Sequence, residues 1–240
     1  HLLTIAPTRS GKAQTTIIPN LLRYRGSAIV LDPKGELYEA TSAWRAKEVG
    51  PVFRWAPFDE HASGLPRHGF NPLDVVTSEH AARSLAEQLF PKDPRASEFF
   101  ADDAAAFVTA LILYIKDTAP PEDCNFGAVH WAASQSLDGF KRMVDAMRRS
   151  RIQSVSAAAE NVASKSGDRG LPNLRDTLHT KFSRWGSPEL LDSLKQGDFN
   201  FGMIKNSPAT IYIDVPFDLM TTYAPVLRMV LKAALDAMSR

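Results

Sequence analysis

Cysteine is nearly missing: Cys124 is the only one in 240 residues. A disulfide framework within the chain is thereby excluded, and so is a zinc site built from several thiolates. A lone thiol fits a reducing compartment and, near a loop, reads as incidental. Long apolar runs are missing as well. The longest, residues 104–115, contains Thr109 and is shorter than the roughly 18 residues that a membrane-crossing helix needs. Charge of one sign is not in excess either, since 28 Lys and Arg against 27 Asp and Glu leave a formal net charge of +1. No global field therefore draws the chain to nucleic acid or an anionic membrane, and such contact would need a local patch or many subunits. The six histidines (His1, His61, His68, His80, His130, His179) include no pair at helical metal spacing beside an acid. They read as surface or packing residues. No methionine precedes His1, and an apolar segment begins at once, which predicts a piece of a longer protein. Repeats and low-complexity segments are lacking too.

What is present is the composition of a globular protein, 44% apolar and 23% charged. Residues 2–6 form an apolar run ended by Pro7, and residues 27–31 and 52–56 are further short apolar runs. Helical patterns occupy residues 12–24 and 37–49 between them, with Pro19 as an internal irregularity. Strand, helix, strand, helix, strand predicts consecutive parallel strands in a doubly wound α/β sheet. Ligands of such sheets bind beyond the carboxyl ends of the strands, where the loops after Ala6 and Leu31 lie. From residue 78 the texture turns helical, over 79–90, 97–116, 137–148, 152–164 and 174–185, with breaks at Pro and Gly. A strand over 210–215 and a helix over 225–238 resume the α/β pattern. The predicted division is 1–77 and 201–240 for an α/β nucleotide-binding domain and 78–200 for an all-helical insertion.

The segment Ala6-Pro7-Thr8-Arg9-Ser10-Gly11-Lys12-Ala13-Gln14 has the spacing of a phosphate-binding loop between a strand and a helix. Backbone N–H groups of such a loop wrap phosphates, and the positive end of the following helix points at them. Gly11 permits close approach and Lys12 reaches the terminal phosphates. Two positions depart from the general pattern: Ala6 replaces the first glycine, and Ala13 stands where a hydroxyl would hold magnesium. Thr15 and Thr16 come two and three positions after Ala13, too late to replace that hydroxyl. The alternative is an ordinary loop capping a helix. Asp32, in Asp32-Pro33-Lys34-Gly35-Glu36, suits either a carboxylate that orients metal-bound water or a plain helix cap.

Together these residues resemble a family. Thr4-Ile5-Ala6-Pro7-Thr8-Arg9-Ser10-Gly11-Lys12, Ile18-Pro19-Asn20-Leu21-Leu22 and Val30-Leu31-Asp32-Pro33-Lys34-Gly35-Glu36-Leu37 look like type IV secretion coupling proteins, the TraG-type conjugative DNA transfer ATPases. Trp55-Ala56-Pro57 and Phe70-Asn71-Pro72-Leu73-Asp74 extend the likeness. The resemblance implies a P-loop RecA-like parallel sheet interrupted by an all-helical insertion domain. It implies ATP and Mg2+ as cofactors and homo-hexamers at the cytoplasmic face of the bacterial inner membrane. It also implies recruitment of single-stranded DNA with its relaxase, or of effector proteins, to a secretion channel. Thr8, Arg9, Ser10, Gly11, Lys12, Ala13 and Gln14 would line the nucleotide, with Lys12 and Asp32 in the catalytic roles. The family has a further apolar strand ending in Asp-Glu and amino-terminal membrane helices, neither of which is among these residues. Asp214 is then a structural strand end rather than the acid that polarises water. The rivals are a non-hydrolysing docking module and a DNA translocase of the chromosome-segregation type.

Outside the loops, Asp102 and Asp103 on an apolar helix read as a solvated edge. Arg148, Arg149 and Arg151, with Arg175, Lys181 and Arg184, read as solvated helix ends or as a patch for DNA phosphates or a substrate protein.

Overall fold

The computed structural model describes residues 11–59, 64–90, 98–164 and 170–239. The expected strand over residues 2–6 and the loop residues Thr8, Arg9 and Ser10 lie outside them. The chain forms two compact units, one of His1–His68, Phe201–Thr222 and Ala234–Arg240, the other of Gly69–Asn200 and Tyr223–Ala233.

The first unit holds a parallel sheet of β1 (Ala28–Leu31), β2 (Val52–Trp55) and β3 (Thr210–Ile213). The order is β1-β3-β2, so β1 and β2 are not neighbours. This differs from consecutive pairing. The reason lies in the sequence of β3, Thr-Ile-Tyr-Ile, whose four residues are all buried. A strand buried on both faces belongs in the middle of a sheet, whereas Leu31 of β1 is 46% exposed.

Helix α1 (Ile18–Arg23) follows a π-helical turn over Ala13–Ile17. The cause is Pro19, which has no N–H to give and whose ring crowds the carbonyl one turn back. The ladder therefore widens, and Ile18 donates its N–H to the Ala13 carbonyl five residues earlier. Helix α2 (Glu36–Glu48) starts after Gly35, whose φ of 71° turns the chain out of β1. Leu21, Val30, Leu37, Tyr38 and Tyr212 form the core between these helices and one face of the sheet. Tyr38 meets Tyr212 edge-on at 5.2 Å, and Tyr212 shares a 2.6 Å hydrogen bond with Thr41. Helices α10 (Met203–Asn206) and α11 (Phe217–Met220) flank β3 in sequence.

The second unit is helical: α3 (Glu79–Leu89), α4 (Glu98–Thr118), α5 (Phe126–Ala133), α6 (Leu137–Met147), α7 (Gln153–Ser164), α8 (Gly170–Phe182) and α9 (Pro188–Ser193). Ser78, Asn125, Ser136 and Ser187 each accept an N–H from the first turn of the helix they precede. Aromatic rings fill its core, with Phe107 against Phe140 at 5.4 Å and Phe126 against Trp185 at 5.2 Å. Its two chain ends are tied together: Asp198 donates its N–H to the Gly69 carbonyl, and Gly69 donates to the Asp198 carboxylate at 2.7 Å. Ends that meet in this way let a helical body be spliced into another fold. The Asn71-Pro72-Leu73-Asp74 segment is a 3-10 turn in which Asn71 caps Leu73 and donates to Asp74 and to the Cys124 carbonyl. The last helix, α12, spans Ala224–Ser239.

Candidate functional site

Two loops carry the predicted chemistry. Gly11 has a φ of 81°, a conformation that L side chains rarely adopt. Lys12 follows at once in helical geometry, at φ −50° and ψ −44°, and opens the helical turn. Glycine in the left-handed region directly before a lysine at a helix start is what a phosphate cradle requires of its backbone. The Gly11 carbonyl is held from behind, accepting the Thr15 N–H at 2.9 Å and the Thr15 hydroxyl at 3.0 Å. Gln14 is exposed. Ala13 packs its methyl against the core cluster of the sheet. That contact accounts for alanine where a metal-binding hydroxyl was expected.

Asp32 sits where β1 ends and is 2% exposed. Its N–H continues the ladder to the Ile213 carbonyl, and its carboxylate accepts the Tyr38 N–H at 2.7 Å. Burial pushes its pKa up, hydrogen bonds from Tyr38 and Leu37 work against this, and the nearby charge of Asp214 adds to the rise. The Lys34 ammonium lies 3.7 Å from Glu36 on the surface.

Beside Asp32, at the carboxyl end of β3, lies Asp214. Arg54 of β2 donates to it from Nε and Nη2, and from Nη1 to Asp59 at 2.8 Å. Burial opposes the charge of Arg54, but the two carboxylates more than offset it and hold its pKa above the usual value. A cavity of about 380 Å³ opens over these strand ends, lined among others by Lys34, Glu39, Arg54, Asp59, Asp214 and Asp218. Four carboxylates against two cations make it unsuited to a triphosphate. The loop geometry that suits phosphate lies instead at Gly11 and Lys12. Among the described residues no cluster of three or more His, Cys, Asp or Glu could hold a metal, and no helix is long and apolar enough to cross a membrane.

Sequence reasoning missed two buried arginines. Arg54 is 4% exposed within β2, and Arg45 of α2 is 0% exposed. A lone arginine inside the strand Val-Phe-Arg-Trp was the available signal for the first. Three of the basic residues form ion pairs within the helical unit. Arg148 pairs with Glu160 at 2.6 Å, Arg151 donates to Asp117 at 3.1 Å, and Arg175 pairs with Asp176 at 2.8 Å.

A family profile described as type IV secretory system conjugative DNA transfer matches residues 1–240. The chain belongs to this family. VirD4 of Rhizobium radiobacter is 28% identical over 257 residues, covering 100% of this chain and 35% of VirD4. The chain thus spans about a third of the length of that relative. Among solved structures, the plasmid coupling protein TrwB in complex with the non-hydrolysable GTP analogue GDPNP superposes with a TM-score of 0.61 at 11% identity, over 97% of this chain and 51% of TrwB. TrwB in complex with ADP and Mg2+ superposes with a TM-score of 0.56 at 15% identity, over 91% and 46%. The fold is that of the RecA-like P-loop coupling proteins, a parallel sheet with a helical body in the same chain.

Proposed function

We propose that this chain is the nucleotide-binding core of a type IV secretion coupling ATPase. ATP binds at Thr8, Arg9, Ser10, Gly11, Lys12, Ala13 and Gln14, completed by a neighbouring subunit of a homo-hexamer. Hydrolysis drives single-stranded DNA with its relaxase, or an effector protein, into the secretion channel at the cytoplasmic face of the bacterial inner membrane. The observation that supports this best is the positive-φ Gly11 leading directly into Lys12 at a helix start. There the Lys12 ammonium neutralises the terminal phosphates, and the loop amides hold them by geometry rather than by covalent chemistry. TrwB in complex with ADP and Mg2+ is a structural neighbour. In this chain Ala13 offers no oxygen and the Thr15 hydroxyl donates to Gly11. Asp32 is 2% exposed and its carboxylate accepts the Tyr38 N–H of α2. The described residues therefore supply no direct ligand set for Mg2+, and its contacts pass through water or come from elsewhere in the protein.

In the full-length protein, Lys12→Ala should abolish ATP binding. Undiminished affinity in that variant would refute the assignment. The packing of Ala13 against the core favours a second reading, a non-hydrolysing docking module that binds nucleotide weakly or not at all and recruits substrate proteins. ATP hydrolysis by the full-length protein, stimulated by single-stranded DNA, removes that reading.

A further inference from the structure

The helix that the phosphate loop leads into buries little apolar surface: Ala13 and Ile18 pack half-buried against the core beside Leu21. In the π turn and α1 together, Leu21 is the single buried side chain, and Ile17 is 41% exposed. Pro19 has also removed one bond of the ladder. A helix that presents a phosphate-binding lysine has to be fixed in position, and apolar burial here does little of that.

Arg45 is fully buried and reaches the far end of this helix. Its Nη1 donates to the Leu21 carbonyl at 2.6 Å and the Tyr24 carbonyl at 2.9 Å. Its Nη2 donates to the Gly26 carbonyl at 2.7 Å, and its Nε to the Thr210 hydroxyl on β3. None of these acceptors is a carboxylate. A buried cation without an acid is costly, and this one is sustained by the negative end of α1 and by neutral oxygens. One planar fork therefore binds three segments: the end of α1, the turn into β1, and the first residue of the central strand.

We propose that Arg45 is the positioning residue of the phosphate loop, clamping the far end of the Lys12 helix to the sheet so that nucleotide affinity depends on it. The proposal rests on the nucleotide reading above. Lysine cannot replace arginine in this role, because a single ammonium does not span acceptors on three segments.

The test uses the full-length protein and its Lys12→Ala, Arg45→Gln, Arg45→Lys and Thr210→Val variants. A fluorescent ATP analogue is titrated, steady-state ATP hydrolysis is followed, and hydrogen exchange is read over residues 13–23. For samples with wild-type far-UV dichroism, Arg45→Gln should raise Kd and KM about tenfold with a smaller fall in kcat. Exchange over 13–23 should quicken, and Arg45→Lys should not rescue. Thr210→Val, which removes one acceptor, should weaken affinity about threefold. A folded Arg45→Gln with wild-type affinity and exchange overturns the proposal. If that variant does not fold, wild-type affinity in Thr210→Val overturns it instead. Should the unmutated protein bind no more ATP than Lys12→Ala, the nucleotide reading itself fails and takes this role with it.

Discussion

Replacing Arg54 with methionine removes the guanidinium that lies between Asp59 and Asp214 while keeping most of the side-chain volume. Both carboxylates are then left buried, with side chains only 8% and 10% exposed. Breaking a buried ion pair by removing one partner costs about 3–5 kcal/mol, mostly the penalty of an uncompensated charge. Two carboxylates lose their partner here, so the upper half of that range, about 4 kcal/mol, is expected at neutral pH. With a urea dependence of about 3 kcal/mol per molar, the unfolding midpoint should fall by more than about 1 M. Tryptophan fluorescence reports the transition, since Trp55 follows Arg54 in β2 and is fully buried. The loss should shrink at pH 5, because protonating a buried carboxylate removes the charge that Arg54 had compensated. Adding Asp59→Asn and Asp214→Asn should recover most of it, as these sites act as one network. A loss below about 1 kcal/mol, or one that is the same at both pH values, would refute the reasoning.

Further expectations concern ATP binding, pH and backbone geometry. Lys12→Ala and Arg45→Gln carry the nucleotide tests already described, by titration and by exchange. For Asp32, burial raises the folded-state pKa, so its contribution to stability is fully present below the ordinary aspartate value and is lost as pH rises through the raised one. Asp32→Asn should remove that step from a plot of unfolding free energy against pH, and an unchanged profile would contradict the burial argument. Gly50 has a φ of 154°, and a Cβ there would run into the Pro208 carbonyl. Gly50→Ala should cost about 2 kcal/mol or more, and an unaltered melting temperature would count against it.

Local signals were legible in the sequence where one residue dictated one local outcome. Proline and glycine marked the ends of α2, and its expected range of 37–49 is displaced by a single residue from Glu36–Glu48. The irregularity at Pro19 was visible, although its form as a π turn depends on which carbonyl the displaced N–H finds. Helix α5 was missed although Asn125 caps it, because eight residues hold barely two turns of period. Helix α8 begins at Gly170 rather than near residue 174, since Pro172 is tolerated in a first turn. Strand order was legible only in part: the apolar run of β3 marks it as a central strand, whereas which strands flank it depends on tertiary packing. Both buried arginines were hidden for a similar reason: the acceptors of Arg45 come from Leu21, Tyr24, Gly26 and Thr210, which only the tertiary structure gathers. At the candidate site, Gly11 and Lys12 could be read directly, whereas the brace of Tyr38 by Asp32 and the inward methyl of Ala13 emerged only from packing.

The central place of β3 has a consequence for the order of events on the ribosome. Ala209 donates to Ser27 across 182 positions of sequence, and among the described strands β1 and β2 find their shared partner only when that stretch has been made. Loop-closure entropy makes such distant pairing slow. The helices in between rely on nearby contacts and fold while translation continues. Because the Gly69 and Asp198 ends meet, the folded insertion shortens the effective loop that must close between β2 and β3. Among the described residues two strands thus wait for their partner for as long as synthesis of the insertion lasts, and slow codons or truncation before residue 210 should leave the nascent chain prone to aggregation.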